Sequence, residues 1–317
     1  MKRFILKRVA SMVVTLWLLS TVVFMIVNVL PGNVARKVLG GQALEEDVVR
    51  LNAKLGTDKP LPEQYWTSLR RVFTLNFGDS YKTQSSVADM IFPALGRSAK
   101  LAVLAFAFAI PLSIAAGVYA ARRQDKVVDR VIVTTGLSSS AIPEFVTATI
   151  LSVLFAVHWK IGHVYAKPPK GASVYEQLGY LWLPATAMAI TYFGYIARMT
   201  RAGVIGALQA DFTRTSVMKG LTQRQVMRKH VLRNAMAPTI VVISTSIGYL
   251  FGGIIGVEKV FNYPGLGTAM LSAVEHHDLP VLQGSVLIVG MIYMVSTLLA
   301  DLLIASLNPR VRLETSK

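Results

Sequence analysis

Six long apolar runs divide the chain, and polar or charged segments separate them. Each run is about 20 residues long or longer, which is the length that an α-helix needs to cross the hydrocarbon core of a bilayer. The pattern therefore predicts an all-α membrane protein with six transmembrane helices. The runs are residues 9–30, 101–121, 131–157, 178–197, 235–257 and 281–300.

The first run has a second interpretation as a cleaved signal peptide, because lysines and arginines precede it. Its apolar length exceeds the usual signal core of about 7–15 residues, and no cleavage site of small residues follows it. These features favour a retained N-terminal transmembrane helix over residues 1–30.

Composition supports the membrane assignment. The 317 residues are 53% hydrophobic and 16% charged, with a mean hydropathy of +0.50, which is unlike a soluble globular chain. The net charge of +16 could indicate nucleic-acid binding, but the cations lie mainly beside apolar runs, where orientation in a bilayer explains them. No nucleic-acid partner is expected. The chain has no cysteine, which excludes disulfides, thiolate metal sites and cysteine nucleophiles.

The distribution of lysine and arginine predicts the topology. Cations concentrate at the N-terminus and in every second short connecting segment, which places those segments and both termini on the cytoplasmic side. The core contains the most basic cytoplasmic loop, residues 198–234. The predicted parts are an N-terminal helix (1–30), a small extracytoplasmic domain between helices 1 and 2 (31–100), a core of five helices (101–310) and a cytoplasmic tail (311–317).

One acidic residue lies about halfway along the third apolar run. Glu144 follows Pro143, which removes a backbone donor and should kink or open the helix. A charge near the bilayer centre costs at least about 2.5–3.5 kcal/mol, so Glu144 needs polar surroundings. A broken helix beside a polar cavity is a common transport site, and we expect Ser140, Pro143 and Glu144 to border a translocation pathway. Packing of Glu144 against a neighbouring helix or a partner subunit is the alternative.

Glycines recur every four residues in the fifth run, at Gly248, Gly252 and Gly256. They share one helix face and allow another backbone to approach closely, which is typical of a helix interface. Small residues also leave room for a solute, so Gly248 and Gly252 are further candidates for the pathway.

Neither a catalytic nor a metal site is expected. The sequence contains no phosphate-binding loop and no nucleophile elbow, so the chain is not an enzyme and energy from ATP would have to come from another chain. His276 and His277 stand beside Glu275 and Asp278, but adjacent side chains on an exposed loop rarely converge on one ion. A self-sufficient secondary transporter or channel is an alternative. It would need ion-coupling residues, and only Glu144 is a candidate.

Residues 211–238 form a strongly basic segment between two apolar runs, with the signals of a helix, a break and a second helix. Asp211 is a suitable N-cap for a first helix of about two turns, and Lys219 with Gly220 marks its end. Thr222 and Gln225 have the spacing of a capping box, so a second helix should run from about residue 223 to residue 233. A basic loop that only fixes orientation is the simpler alternative.

This basic segment resembles the EAA signature loop of ABC importer permeases. The similar residues are Arg214-Thr215-Ser216, Lys219-Gly220-Leu221, His230, Leu232-Arg233-Asn234-Ala235 and Pro238. The general motif begins with Glu-Ala-Ala, whereas Arg-Thr-Ser stands here, as in the peptide-transporting group. Further segments resemble that group in the same order. They are Leu30-Pro31-Gly32-Asn33, Leu55-Gly56, Lys59-Pro60-Leu61, Gln64-Tyr65, Phe77-Gly78, Ser80, Glu258, Phe261, Pro264-Gly265-Leu266-Gly267, Asp278-Leu279-Pro280, Asp301 and Asn308-Pro309-Arg310.

The chain is thus similar, over nearly its whole length, to the first (B-type) permease of the oligopeptide and dipeptide uptake group of bacterial ABC importers. The resemblance implies the type I ABC importer permease fold, a location in the inner membrane, and the import of di- or oligopeptides or peptide-like solutes. Nickel chelates, glutathione, opines and sugars are alternative cargoes for the same architecture.

The resemblance also implies partners. These are a second homologous permease subunit, two ATPase domains, an extracytoplasmic substrate-binding protein and the lipid bilayer. ATP and Mg would bind to the ATPase subunits, and no cofactor would bind to this chain. The first helix of the basic loop corresponds to the coupling helix, which sits in a groove of an ATPase subunit. The expected coupling residues are Asp211, Phe212, Arg214, Thr215, Val217, Lys219, Gly220 and Leu221.

Overall fold

Every regular element in the described part of the chain is a helix. The structure is a computed structural model that describes residues 2–29, 33–74, 76–169, 171–276 and 278–307. Apart from the helices, an isolated antiparallel bridge pairs Asp79 with Ser86. The predicted all-α fold is confirmed. The motif segments at residues 30–32 and 308–310, the tail 311–317 and His277 lie outside the described residues.

Two helices contain π-helical turns. α7 continues into the π-helical segment Ser152–His158, and a second such segment, Met227–Val231, joins α10 to α11. As a result, α10 and α11 form one continuous helix, Gln223–Val260. The α-helices are α1 (Lys2–Val29), α2 (Val34–Leu39), α3 (Glu45–Leu55), α4 (Leu61–Thr74), α5 (Val87–Arg122), α6 (Val127–Ala141), α7 (Glu144–Leu151), α8 (Val174–Gln209), α9 (Asp211–Met218), α10 (Gln223–Val226), α11 (Leu232–Val260), α12 (Leu266–Glu275) and α13 (Leu279–Leu307).

Five of the six predicted apolar runs correspond to helices that could cross a membrane by length and composition. Four are single helices, within α1, α5, the continuous α10–α11 helix and α13. A fifth span arises if α6 and α7 are taken together, across a bend of 99°. The remaining run, 178–197, lies in α8, which is long but contains many alanine, threonine and tyrosine residues that other parts of the protein bury. Such small residues are typical of helices that pack against other membrane helices.

The chain forms two compact units, and α8 is central to the first. α6, α7 and α11 all pack against α8. A Cβ built on Gly194 of α8 would overlap the carbonyl group of Gly136 in α6, and one built on Gly203 would overlap the carbonyl oxygen of Ala235 in α11. The glycines of α8 therefore allow its backbone to touch the backbones of two neighbours. This unit comprises Met1–Phe4, Ala99–Tyr263 and Tyr293–Lys317.

The second unit contains α2, α3, α4 and α12, and it comprises Ile5–Ser98 and Pro264–Ile292. Val48, Phe77 and Ile91 are among its buried apolar residues. Asp278 is also buried, and its carboxylate accepts hydrogen bonds from the Ser80 hydroxyl and from the backbone N–H of Tyr81, the latter at 3.0 Å. The carboxylate thus fixes the loop that precedes α5, as expected of a buried acid.

Candidate functional site

α9 is the first helix of the basic loop, and its capping differs from the prediction. Ala210 is the N-cap, with an extended backbone (φ −72°, ψ 148°) and no side-chain capping bond. The prediction of Asp211 as N-cap is therefore wrong, because α8 continues to Gln209 and only Ala210 separates the two helices. Asp211 lies in the first turn of α9, where its carboxylate still interacts favourably with the positive end of the helix dipole.

The end of α9 follows the predicted pattern. Lys219 is the C-cap, and Gly220 follows with φ of 75°, in the left-handed region that glycine adopts without strain. The backbone N–H of Gly220 donates to the carbonyl of Val217 at 2.9 Å. The backbone N–H of Leu221 donates to the carbonyl of Ser216 at 3.4 Å. These two bonds form a Schellman motif, which turns the chain into the next helix.

The second helix begins with the predicted capping box and extends further than predicted. The backbone N–H of Thr222 donates to Oε1 of Gln225 at 2.9 Å, and the backbone N–H of Gln225 donates to Oγ1 of Thr222 at 3.4 Å. The predicted end near Arg233 is wrong, because the helix continues into α11 and accommodates Pro238 within it. The basic loop is therefore joined without a break to a helix that is long and apolar enough to cross a membrane.

A buried apolar cluster supports α9 and α10 on one side. Thr213 and Ser216 are the buried residues of α9, and Oγ1 of Thr213 donates to the Ala207 carbonyl of α8 at 2.6 Å. Leu221 is half-buried and packs against the cluster. α9 therefore has a fixed inward face. We call this group of residues the inner cluster: Ala121, Val204, Ala207, Val226, Val231 and Ala235.

The opposite side of α9 is exposed, and it is both apolar and basic. Phe212, Val217 and Met218 are 39%, 55% and 79% exposed, respectively. Arg214 and Lys219 are exposed beside them, and neither forms an ion pair with another described residue. Exposed apolar side chains grouped in this way mark interaction surfaces. The exposed α9 face is formed by Phe212, Arg214, Thr215, Val217, Met218 and Lys219.

One residue of the predicted coupling set is partly turned inward, and one exposed residue of α9 lies outside that set. Leu221 is a predicted coupling residue, and its half-buried side chain packs against the inner cluster. Met218 was not predicted, although it is the most exposed apolar side chain of α9. Helical spacing could have predicted that Met218 is exposed. Thr213 and Ser216 lie on the inward side of α9, and position 218 lies on the opposite side.

α6 and α7 meet at the break that Pro143 predicts. α6 ends at Ala141, α7 begins at Glu144, and the two helices are bent by 99°. Pro143 is the N-cap of α7, with φ −58° and ψ 142°. The Ser140 hydroxyl lies 2.9 Å from the carbonyl oxygen of Gly136 in its own helix and 3.1 Å from that of Thr191 in α8. The prediction of a broken helix at this position is confirmed.

Glu144 lies against α11, close to a buried polar residue of α8. It is half-buried, and a Cβ built on Gly253 would lie 2.6 Å from its Oε1 atom. Tyr192 of α8 is buried and within electrostatic range of Glu144. The Tyr192 hydroxyl has no hydrogen-bond partner among the described residues. A buried hydroxyl without a partner is costly, so this position is suited to a polar ligand or to water.

The glycines of α11 have different surroundings. A Cβ built on Gly248 would overlap the ring of Tyr293, and one built on Gly256 would lie 2.8 Å from Cβ of Phe145. Gly252 has no heavy atom within 4 Å of a built Cβ. The interface interpretation therefore fits Gly248 and Gly256, and Gly252 is the glycine of this face that borders free space.

An ion pair that the sequence reasoning did not identify joins α6 to α8. Asp129 accepts hydrogen bonds from both Nε and Nη2 of Arg201, the latter at 2.6 Å. Its Oδ2 atom also accepts from the backbone N–H of Asp125 at 2.9 Å. The Asp129 side chain is 3% exposed and that of Arg201 is 24% exposed. The bidentate geometry and the burial make this a structural contact between the two helices.

Comparison with known proteins identifies the class of protein that carries these features. Residues 113–313 match the family described as the binding-protein-dependent transport system inner membrane component. Residues 1–102 match the N-terminal family described as the binding-protein-dependent transport system membrane component. The chain belongs to this family and is a multi-pass inner-membrane permease subunit of an ABC importer, not a catalytic subunit.

The most similar relatives include the glutathione transport system permease protein GsiC of Escherichia coli strain K12. It is 33% identical over 312 residues, which cover 98% of this chain and 99% of the relative. GsiC of Shigella dysenteriae serotype 1 matches with the same identity and coverage. Among solved structures, a crystal structure of an amino acid ABC transporter with histidines aligns with a TM-score of 0.49 and 17% identity, over 70% of this chain and 94% of that chain.

Proposed function

We propose that this chain is one of two permease subunits of an ATP-driven importer of peptides or peptide-like solutes. It crosses the inner membrane six times in this proposal, with α8 as the fourth span, residues 31–100 outside and both termini in the cytoplasm. The distribution of cations supports the orientation, and the length of α8 supports the sixth span. The partners are a second homologous permease, two ATPase domains that bind ATP and Mg, and an extracytoplasmic substrate-binding protein.

The proposed cargo is a short peptide or a peptide-like solute. The relatives that match nearly the whole chain at 33% identity are named as glutathione permeases, and glutathione is a small peptide-like molecule. This supports a short cargo with a peptide backbone. Nickel chelates, opines and sugars are the alternatives. An uptake assay with a labelled solute separates these classes, because only unlabelled solutes of the transported class compete with its uptake.

The observation that carries the coupling role is the exposed α9 face. The inner cluster holds α9 on its other side, and the capping box leads from α9 into the continuous α10–α11 helix. A partner that contacts this face differently in two states biases the arrangement of the membrane helices. Phe212, Val217 and Met218 provide apolar contact area. Arg214 and Lys219, which form no ion pair with the residues that the structure describes, can pair with acidic groups of an ATPase subunit. Gly220 provides the turn at the end of α9, and Leu221 anchors this turn to the inner cluster.

Replacing Phe212 by aspartate is expected to lower ATP-driven uptake roughly tenfold or more, because a charge replaces an apolar side chain of the exposed α9 face. Uptake of a radiolabelled dipeptide and of glutathione is measured in proteoliposomes that contain the complete transporter. Gln223→Asp is the matched control. It adds the same charge to the same loop, at an exposed first position of α10 where the helix dipole favours an acid. Unchanged uptake in Phe212→Asp, or an equal loss in both variants, contradicts the coupling role.

We also propose that Ser140, Pro143, Glu144 and Gly252 border the translocation pathway. The 99° break and the half-buried carboxylate support a polar passage at this point, as does the Tyr192 hydroxyl, which has no hydrogen-bond partner in the described part of the chain. The space at Gly252 supports the same assignment. Packing of Glu144 against Gly253 is the alternative, and it predicts that the carboxylate charge has no effect on transport.

Glu144→Gln distinguishes the two, because it removes the charge and keeps the shape. We expect the apparent affinity or the rate to change roughly three- to tenfold for peptides with a free amino group, which a carboxylate attracts. Uptake is compared across peptides with free and acetylated amino termini. Glu275→Gln is the control, since Glu275 is exposed at the end of α12. If every peptide behaves alike in the Glu144→Gln protein and the wild type, the pathway role is wrong.

A further inference from the structure

A cavity of about 280 Å³ lies within the second unit. Its walls come from α1, α3, α4 and the start of α13, which contribute Phe24, Lys54, Arg71 and Gln283, respectively. Pockets for small molecules usually have volumes of about 300–1,000 Å³, so this cavity, at about 280 Å³, lies just below the lower limit of that range. It is therefore suited to a solute of about the size of a dipeptide.

All charged side chains that line the cavity, among the residues described, are cationic. They are Lys54, Lys59 and Arg71. Glu63, outside the lining, pairs with Lys59 at 2.5 Å, and Nζ of Lys54 donates to the neutral amide oxygen of Gln84 at 2.5 Å. Within the described ranges, the Arg71 guanidinium has neither a hydrogen-bond nor an ion-pair partner. Among the described residues, Lys54 and Arg71 therefore line the cavity without a carboxylate partner, while the Asp278 carboxylate, outside the lining, is held by the backbone N–H of Tyr81.

Neutral donors and an aromatic wall complete the cavity. Tyr81 is half-buried, and this burial raises the pKa of its phenol, so the hydroxyl stays protonated and can donate. The Ser68 hydroxyl accepts from Nε2 of Gln283 at 2.7 Å, which leaves its own proton available. Phe77 is buried and forms an apolar side of the cavity. A planar cation and two hydroxyl donors thus face the same small space.

We propose that this cavity binds the carboxylate of a small peptide-like solute, with Arg71 as the charged contact and with Tyr81 and Ser68 as neutral donors. The forked guanidinium matches a carboxylate with two parallel hydrogen bonds, which a lysine cannot reproduce. The aromatic side of the cavity accommodates the apolar part of the solute. This site rests on the proposed function in one respect, since it takes the carboxylate to belong to the imported cargo.

The test measures binding of alanyl-alanine and of its C-terminal amide to the purified full-length chain in lipid nanodiscs, without ATPase partners or ATP. We expect saturable binding of the dipeptide and at least roughly tenfold weaker binding of the amide, because the amide lacks the charge. Arg71→Gln should weaken dipeptide binding by a similar factor, and Arg71→Lys should give an intermediate loss. Arg70→Gln is the matched control, because Arg70 is the exposed neighbour on α4 and does not line the cavity.

Three results would overturn the site: no saturable binding to the wild-type chain, equal affinity for dipeptide and amide, or equal affinities of the Arg70→Gln and Arg71→Gln proteins. Thermal stability of both arginine variants is measured in parallel, and it should be unchanged because both side chains are exposed. Binding is independent of ATP in this design. A failure of the proposed transport function therefore appears in the uptake assay alone, and a failure of this site appears in the binding assay alone.

Discussion

Replacing Asp129 by alanine is expected to destabilise the fold by about 3–5 kcal/mol, because it leaves the Arg201 guanidinium largely buried without its partner. The substitution also removes the acceptor for the backbone N–H of Asp125. The free energy of unfolding is measured by denaturant titration of the purified chain in detergent, with the near-ultraviolet signal of the tryptophans as the readout. We expect this large loss in the free energy of unfolding even if the Asp129→Ala protein still inserts into the membrane.

The partner variants show whether the pair itself is responsible. Arg201→Ala should cost a similar amount, and the double variant should cost clearly less than the sum, because neither charge is then left alone. Lys59→Ala is the control, since its ion pair with Glu63 is exposed and such pairs contribute about 0.2–1 kcal/mol. Additive losses in the double variant, or equal losses for Asp129→Ala and Lys59→Ala, would show that the contact contributes little.

The Asp129–Arg201 pair also bears on coupling. Arg201 belongs to α8, and α8 leads through Ala210 directly into α9. The pair therefore connects the start of the broken α6–α7 element to α8, the helix that leads into α9. If α9 has the proposed coupling role, we expect its displacement by a partner to reach α6 through this contact and through the packing of α8.

The sequence predicted the parts of the basic loop that depend on neighbouring residues. The Gly220 turn and the Thr222–Gln225 capping box need only side chains and backbone groups within a few residues of one another, so spacing alone identified them. The break at Pro143 was predictable for the same reason, because proline limits its own backbone and that of its neighbours. The turn, the capping box and the break depend on local residues and not on how the helices pack.

Features that depend on packing between distant segments were missed. Asp129 and Arg201 are 72 residues apart, and no local pattern relates them. The inward position of Leu221 follows from the inner cluster, whose members come from α5, α8 and the α10–α11 helix. In α11 the repeat of glycines drew attention to Gly252, whereas the contact with Glu144 is made by the adjacent Gly253. Helical periodicity identifies a face, but the position of the neighbouring helix determines which residues of the helix are in contact with it.

Replacing Gly194 by alanine is expected to separate α6 from α8 and to cost about 1–3 kcal/mol or more, because an inserted methyl group cannot be accommodated. A Cβ at this position would overlap the carbonyl group of Gly136 and the hydroxyl of Ser140. The obstacle is mainly backbone, so no change of side-chain rotamer relieves it. Gly179→Ala in the same helix is the matched control, since a built Cβ there has no heavy atom within 4 Å. It should be neutral or stabilising by up to about 1 kcal/mol.

The two glycine variants also test whether Ser140 takes part in transport. Ser140 lies close to Gly194 and three residues before the helix break at Pro143. Its hydroxyl lies 3.1 Å from the Thr191 carbonyl oxygen, and a methyl group at position 194 would disturb this contact. We therefore expect Gly194→Ala to lower uptake per folded molecule as well as thermal stability, whereas Gly179→Ala lowers neither. If Gly194→Ala reduces stability alone, the α6–α8 contact is structural and the pathway does not depend on it. If the two variants have equal melting temperatures, α6 and α8 are not in backbone contact at Gly194.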